Sequence, residues 1–172
     1  AGTAGASITS GVFFGGAEPA ASNKTEEYDG SSWTAVNTMP TTMADAGGNG
    51  IQTSAIAAGT SSPTTLSLEY DGTNWTAGGS LNVVHKKGAF LGTSSDSAIV
   101  AGGYAAPQTA VEGYDGTAWA TRPSLATARG RSANVGTASL GFVAGGNPSA
   151  TNATEEWTGE TTALNVKTLT QS

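Results

Sequence analysis

The sequence has no cysteine and a single histidine, His85. Disulfides, thiolate metal sites and cysteine nucleophiles are thereby excluded, while the redox compartment stays open. Charge is scarce: Asp, Glu, Lys and Arg supply 12% of the 172 residues, 13 acidic against 7 basic, for a net charge of −6. An acidic chain of this kind is not expected to bind nucleic acid electrostatically. No run of 18 apolar residues occurs, so no membrane insertion is expected. Leu, Lys and Glu are too few for a helical bundle and no heptad pattern is present. Low net charge also argues against simple disorder. The chain opens on Ala1 without an initiating Met, a basic n-region or a long apolar h-region. It reads as a processed product or a fragment whose upstream part is missing.

What is abundant is small. Ala, Gly, Thr and Ser together fill more than half of the chain. Within that background two markers recur in phase. The first is an aromatic followed by a tight turn and a Trp: Tyr28-Asp29-Gly30 with Trp33, Tyr70-Asp71-Gly72 with Trp75, Tyr114-Asp115-Gly116 with Trp119, and a degenerate Trp157-Thr158-Gly159. The aromatics step by 42, 44 and 43 residues. The second is an apolar run closing on small residues: Gly15-Gly16, Gly59-Thr60, Gly102-Gly103 and Gly145-Gly146, at steps of 44, 43 and 43. A doubled period of about 43 residues is the signature of a repeat architecture. It divides a single domain, 1–172, into repeats of approximately 1–43, 44–87, 88–130 and 131–172.

Each repeat reads as four short strands. In the third, Gly88 to Thr93, Ala98 to Gly103, Thr109 to Tyr114 and a run opening at Trp119 are apolar segments separated by turn residues. Asp-Gly after the third run predicts a type I′ hairpin turn, with φ > 0 at both central residues. Four strands in about 43 residues is the size of one propeller blade. A β-sandwich is the alternative all-β reading, but it supplies no reason for strict recurrence. Trp33, Trp75 and Trp119 are expected between adjacent sheets, or as a sugar-stacking platform; packing alone explains their recurrence. The Gly-Gly pairs are expected to turn the chain sharply and let an aromatic approach the backbone. Ala1 to Thr3 supplies only the tail of a first strand, which predicts a truncated first sheet with an open edge. Leu164 to Leu169 alternates apolar and polar, so it completes that sheet or extends the last one.

The apolar run ending in Gly-Gly, then Tyr, then Trp at short spacing resembles the Kelch repeat, the blade unit of galactose-oxidase-like propellers. The resemblance covers essentially the whole chain and implies an all-β propeller of four blades, or the last four blades of a larger one. Met39-Pro40, Ser80-Leu81 and Pro123-Ser124-Leu125 precede the next blade as in the family, with His85 and Arg129 near its basic position; Met43 departs from it. Thr60 breaks one Gly-Gly, Trp157 replaces a Tyr, and the period is short for Kelch. No Trp-Asp dipeptide occurs, unlike WD40 repeats. The Glu-Glu-Tyr-Asp-Gly-Ser-Ser-Trp-Thr segment with Ala/Gly/Thr-rich spacers is similar to Kelch-type arrays in structural proteins of marine bacteriophages, including cyanophages. That likeness implies a tail-fibre, appendage or capsid-decoration protein at the virion surface or outside the cell. Its implied partners are other virion proteins, copies of itself, or a host-surface glycan.

Catalytic constellations are thin. His85 has no Gly-x-Ser-x-Gly elbow to serve. Copper-oxidase chemistry of galactose-oxidase relatives needs a Cys-linked Tyr and several His, which are missing. Asp29, Asp71 and Asp115 are explained by their turns and belong to no Asp-x-Asp-x-Asp-Gly calcium loop. Glu26-Glu27 and Glu155-Glu156 are neighbours whose side chains point to opposite faces of a strand, so a solvated edge fits them better than a glycosidase pair. Three Asn-x-Thr matches, at Asn23, Asn74 and Asn152, arise cheaply in a Thr-rich chain. No enzyme, cofactor or metal is expected. The one basic cluster, His85-Lys86-Lys87 with Arg122, Arg129 and Arg131, is read as a solubilising rim or a contact for an anionic glycan or neighbouring virion protein. The loops after the Gly-Gly runs, 17–24, 61–67, 104–109 and 147–152, differ most between repeats and are the expected carriers of specificity.

Overall fold

The computed structural model of the protein describes residues 2–17, 19–60, 65–104, 108–147, 152–159 and 166–169. Among these the fold is all-β: sixteen strands in four antiparallel sheets, with no helix. Sheet 1 holds β1 (Gly2–Ser7), β2 (Ser10–Phe14), β3 (Thr25–Tyr28) and β4 (Trp33–Val36). Sheet 2 holds β5 (Gly47–Ile51), β6 (Ser54–Ala58), β7 (Ser67–Tyr70) and β8 (Trp75–Ala77). Sheet 3 holds β9 (Ala89–Ser94), β10 (Ser97–Ala101), β11 (Val111–Tyr114) and β12 (Trp119–Arg122). Sheet 4 holds β13 (Ala133–Gly136), β14 (Gly141–Ala144), β15 (Thr154–Trp157) and β16 (Val166–Leu169). Every sheet is an up-and-down meander in sequence order, and the first strands β1, β5, β9 and β13 pack against one another in succession.

The third strands carry the logic of the packing. Their four-residue sequences are Thr25-Glu26-Glu27-Tyr28, Ser67-Leu68-Glu69-Tyr70, Val111-Glu112-Gly113-Tyr114 and Thr154-Glu155-Glu156-Trp157. Side chains alternate across a strand, so positions one and three share one face and positions two and four the other. Positions two and four face the preceding sheet. Tyr70 and Trp75, directly opposite each other on β7 and β8 with ring centroids 4.9 Å apart, pack on Phe14 of sheet 1. Trp75 Nε1–H donates to Thr25 Oγ1 at 2.9 Å, and the Tyr70 hydroxyl donates to Glu27 Oε1 at 2.8 Å. One repeat later Trp119 Nε1–H donates to Ser67 Oγ at 3.2 Å and the Tyr114 hydroxyl donates to Glu69. Three apolar clusters fill the three junctions: Val12, Phe14 and Leu68 in the first, Ile56, Phe90 and Val100 in the second, Leu91, Ile99 and Val143 in the third.

Several expectations are corrected. Sheet 1 is not short of its first strand, because β1 is a six-residue strand paired along β2. The C-terminal run adds to the last sheet as β16 and does not complete the first; residues 164, 165 and 170–172 of that run lie outside the described residues. Trp75 and Trp119 are buried as expected, but Trp33 is 53% exposed, since no described sheet packs on its outer side. The Asp-Gly segments are four-residue loops, not type I′ turns: only Gly30, Gly72 and Gly116 take positive φ. Asp supplies the missing constraint by accepting backbone N–H bonds two and three residues on, from Ser31 and Ser32, Thr73 and Asn74, and Thr117 and Ala118. The amides of Ser32 and Ser31 hold the Asp29 carboxyl down at about 2.

The first glycine of each Gly-Gly pair takes positive φ, and a crossover carbonyl is the nearest group at Gly15, Gly59 and Gly102; an aromatic, Phe90, approaches only Gly59 of these three. Gly102 has φ 65°, and a Cβ there would lie 2.1 Å from the Arg129 carbonyl oxygen of the chain crossing to sheet 4. The second position is less strict. Gly16 takes φ 116°, but Thr60 stays out of the positive region and donates its hydroxyl to the Ala44 carbonyl at 3.0 Å. Gly102→Ala is therefore expected to destabilise the fold by roughly 1–3 kcal/mol or more in urea unfolding. Gly11→Ala, whose Cβ would meet nothing nearer than 3.7 Å at ordinary φ, is expected to stay within about 0.5 kcal/mol of wild type.

Candidate functional site

Of the six basic residues singled out in the sequence, two do not reach a rim, while Lys86, Lys87 and Arg131 lie together, the Arg131 N–H donating to the Lys87 carbonyl at 2.9 Å. His85 and Arg129 are 0% and 1% exposed, inside the crossovers that lead into sheets 3 and 4. Lys87 Nζ lies 3.1 Å from Asp45 Oδ1, and Lys86 Nζ lies 3.7 Å from Asp45 Oδ2. The Arg131 guanidinium sits 4.3 Å above the Tyr104 ring centroid, a cation–π contact.

The partners of His85 and Arg129 are two glutamates at position two of the third strand. Glu112 accepts from His85 Nε2 at 3.1 Å and from the backbone N–H groups of Asn82 and Val83 at 2.8 and 2.9 Å. His85 Nδ1 lies 2.6 Å from the Gly102 carbonyl. An oxygen thus faces each nitrogen of the buried ring. Burial pushes the Glu112 carboxyl up, but the bonds from His85, Asn82 and Val83 outweigh it and hold it below the ordinary carboxylate range. Sheet 4 repeats the device: Arg129 Nη2 donates to Glu155 at 2.7 Å, and the N–H groups of Ala126 and Thr127 donate to the same carboxylate. Arg129 Nη1 also donates to the Gly145 and Ala153 carbonyls, both at 2.9 Å. Glu155 is thus buried, against the expectation of a solvated edge.

Sheet 2 fills the same three places without charge. Met43 stands for His85 and Arg129, Leu68 stands for Glu112 and Glu155, and Pro40 stands for Asn82 and Ala126. Proline has no N–H and so needs no acceptor. The three positions change together, which an alignment of the repeats reveals; the solvated-edge reading of Glu155-Glu156 hides this, and Glu112 carries no signal of its own in the sequence. These pairs are structural clamps. Their polar atoms are spent on the crossovers, and among the described residues no group of three or more His, Asp or Glu is placed to hold a metal.

An open cleft lies where the repeat is broken. At position three Glu27 and Glu69 receive a tyrosine hydroxyl, but sheet 3 has Gly113, and the aromatic that should reach it is Trp157. Trp157 Nε1–H instead donates within its own sheet, to the Ala138 carbonyl at 2.8 Å. The unfilled space is a cavity of about 610 Å³ between the turns of sheets 3 and 4, walled by Asp96, Asp115, Arg122, Thr137, Ser139 and Trp157. Backbone N–H groups of Ala118 and Thr117 keep the Asp115 carboxyl below its usual range, with a smaller contribution from Arg122. Carboxylates, a guanidinium and hydroxyls beside an aromatic edge offer both donors and acceptors to a polyhydroxylated ligand. A second cavity, about 660 Å³, opens on sheet 1 between Phe13, Pro19, Ser22, Lys24 and Glu26. Of the loops expected to carry specificity, residues 18, 61–64, 105–107 and 148–151 lie outside the described residues.

The clamps make two testable statements. Arg129→Met alone strands a buried carboxylate and is expected to cost about 3–5 kcal/mol. The triple exchange Ala126→Pro, Arg129→Met, Glu155→Leu copies the sheet 2 solution and is expected to recover most of that loss in chemical denaturation. For Glu112, a depressed folded-state pKa means its stabilisation is present above the unfolded value of about 4.3 and is lost as pH falls through the folded value. The Tm of wild type is expected to fall on acidification below that range. Glu112→Gln is expected to lower Tm at neutral pH and to flatten the acid limb. No known family pattern matches this chain, and no curated protein sequence matches it.

Proposed function

We propose that the chain is a non-enzymatic structural and adhesion module whose four sheets are consecutive blades of a Kelch-like propeller, carried on a virion or other extracellular appendage. The 43-residue repeat, the meander order within each sheet and the succession of first strands support the propeller reading. The phage-like repeat dialect supports the appendage. A role in adhesion rests on one observation above all: the cleft between sheets 3 and 4 is walled by Asp96, Arg122 and Ser139 at the one junction that gives up its Tyr–Glu lock. The buried charges are committed to holding crossovers, so what is left for recognition is this hydroxyl-rich rim. Its donor and acceptor set suits a glycan.

A glycan array probed with the full chain is expected to return a restricted set of bound sugars. Asp96→Ala is expected to weaken binding about tenfold or more, the loss of a charge-assisted hydrogen bond. Absence of binding to any glycan, or binding indifferent to Asp96, would leave the protein a scaffold without this recognition role.

A further inference from the structure

The two end sheets each present one half of the junction that recurs inside the molecule. On sheet 1, the face turned away from sheet 2 carries Tyr28, opposite Trp33 with centroids 5.0 Å apart, and Phe13. This is the same Tyr–Trp pair that Tyr70–Trp75 and Tyr114–Trp119 present to their preceding sheets. Trp33 and Phe13 are 53% and 37% exposed, and neither the Tyr28 hydroxyl nor the Trp33 N–H has a partner among the described residues. On sheet 4, the face turned away from sheet 3 carries Thr154 and Glu156, the same positions at which Thr25 and Glu27 receive Trp75 and Tyr70. Opposite them on β14 lie Ala144 and Phe142, and Val135 on β13 shares that face. Phe142 and Val135 are 42% and 56% exposed.

The pattern of losses makes the match specific. Where the aromatic side of the junction is lost, at Trp157, the receiving side is lost too: sheet 3 has Val111 and Gly113 in place of a hydroxyl and a carboxylate. Thr154 and Glu156 nevertheless keep both receiving groups, although no described sheet follows sheet 4. Tyr28 and Trp33 keep both donors, although no described sheet precedes sheet 1. A buried indole N–H or phenol needs a partner, and here each end supplies what the other lacks.

We propose that the sheet 4 face of one copy receives the Tyr28–Trp33 pair of a second copy, continuing the internal junction across a head-to-tail interface. Trp33 Nε1–H would donate to Thr154 and Tyr28 Oη to Glu156, with Phe13 and Trp33 covering Phe142 and Val135. Such heterologous contacts form rings when the rotation closes. Two copies give eight sheets, within the range of about four to eight for closed radial arrays, and three copies exceed it. The proposal commits to a dimer built from two such interfaces. It is independent of whether the cleft between sheets 3 and 4 binds a glycan.

Light scattering on the purified full chain tests it. Wild type is expected at twice the 16.9 kDa chain mass. Trp33→Glu and Phe142→Glu each spoil one face at an exposed position, so each variant alone is expected to keep its Tm as a monomer, losing closed-dimer formation. Mixed in equal amounts, they are expected to form a heterodimer through the two unspoiled faces. That complementation is the diagnostic, because a symmetric face-to-face dimer would lose assembly with only one of the two variants and give no rescue. Wild type that remains monomeric at submillimolar concentration overturns the proposal, as does a monomer in which both variants lower Tm together, the mark of the two faces closing on each other within one chain. Unchanged assembly in both variants overturns it equally.

Discussion

Every sheet-to-sheet junction of this protein turns on the problem of burying a tryptophan. An indole contributes a large apolar area but carries an N–H that is costly to leave unpaired. Sheets 1 and 2 solve it by placing a hydroxyl, Thr25 or Ser67, at the start of the third strand, under the Trp of the following sheet. The tyrosine packed on that Trp delivers its hydroxyl to a glutamate two residues further along the same strand. Two polar contacts with fixed spacing thereby set how one sheet lies on the next. Burial alone would favour contact without specifying its register.

A small, low-charge chain can then afford few other devices. Its inner strands are rich in Ala and Gly, so close approach of backbones is cheap, and three apolar clusters of modest size fill the junctions. The crossovers between sheets need anchors of their own, because their backbone N–H groups have no strand partner. Two of them are held by a buried carboxylate paired with His85 or Arg129, the third by proline and an apolar pair. Both solutions occupy the same positions, which argues that satisfying the crossover matters and charge as such does not.

Function, on the reading offered above, arises where the lock is relaxed. Replacing a position-three glutamate by Gly113 and the next tyrosine by Trp157 opens a polar cleft without unfolding the junction, since Leu91, Ile99 and Val143 still pack beneath it. A repeat protein can spend one junction in this way because its neighbours remain intact.

The repeat itself was written in the sequence. Tyr-Asp-Gly and Gly-Gly recur at a spacing that only a four-stranded unit repeated four times explains, and the strand positions follow from apolar runs between turn residues. Local chemistry was partly legible: Asp29, Asp71 and Asp115 were correctly tied to turns, but the loop type depends on backbone angles that a dipeptide does not specify. The roles of His85, Arg129, Glu112 and Glu155 were not legible as read, because exposure is a property of what packs above a residue. Trp75 lies 50 positions beyond its acceptor Thr25 in the sequence, and only the stacking of sheets brings them to 2.9 Å. Trp33 makes the same point in reverse. Its sequence context matches that of Trp75 and Trp119, yet it stands half in solvent, since burial there needs a sheet on its outer side, and the described residues place none there.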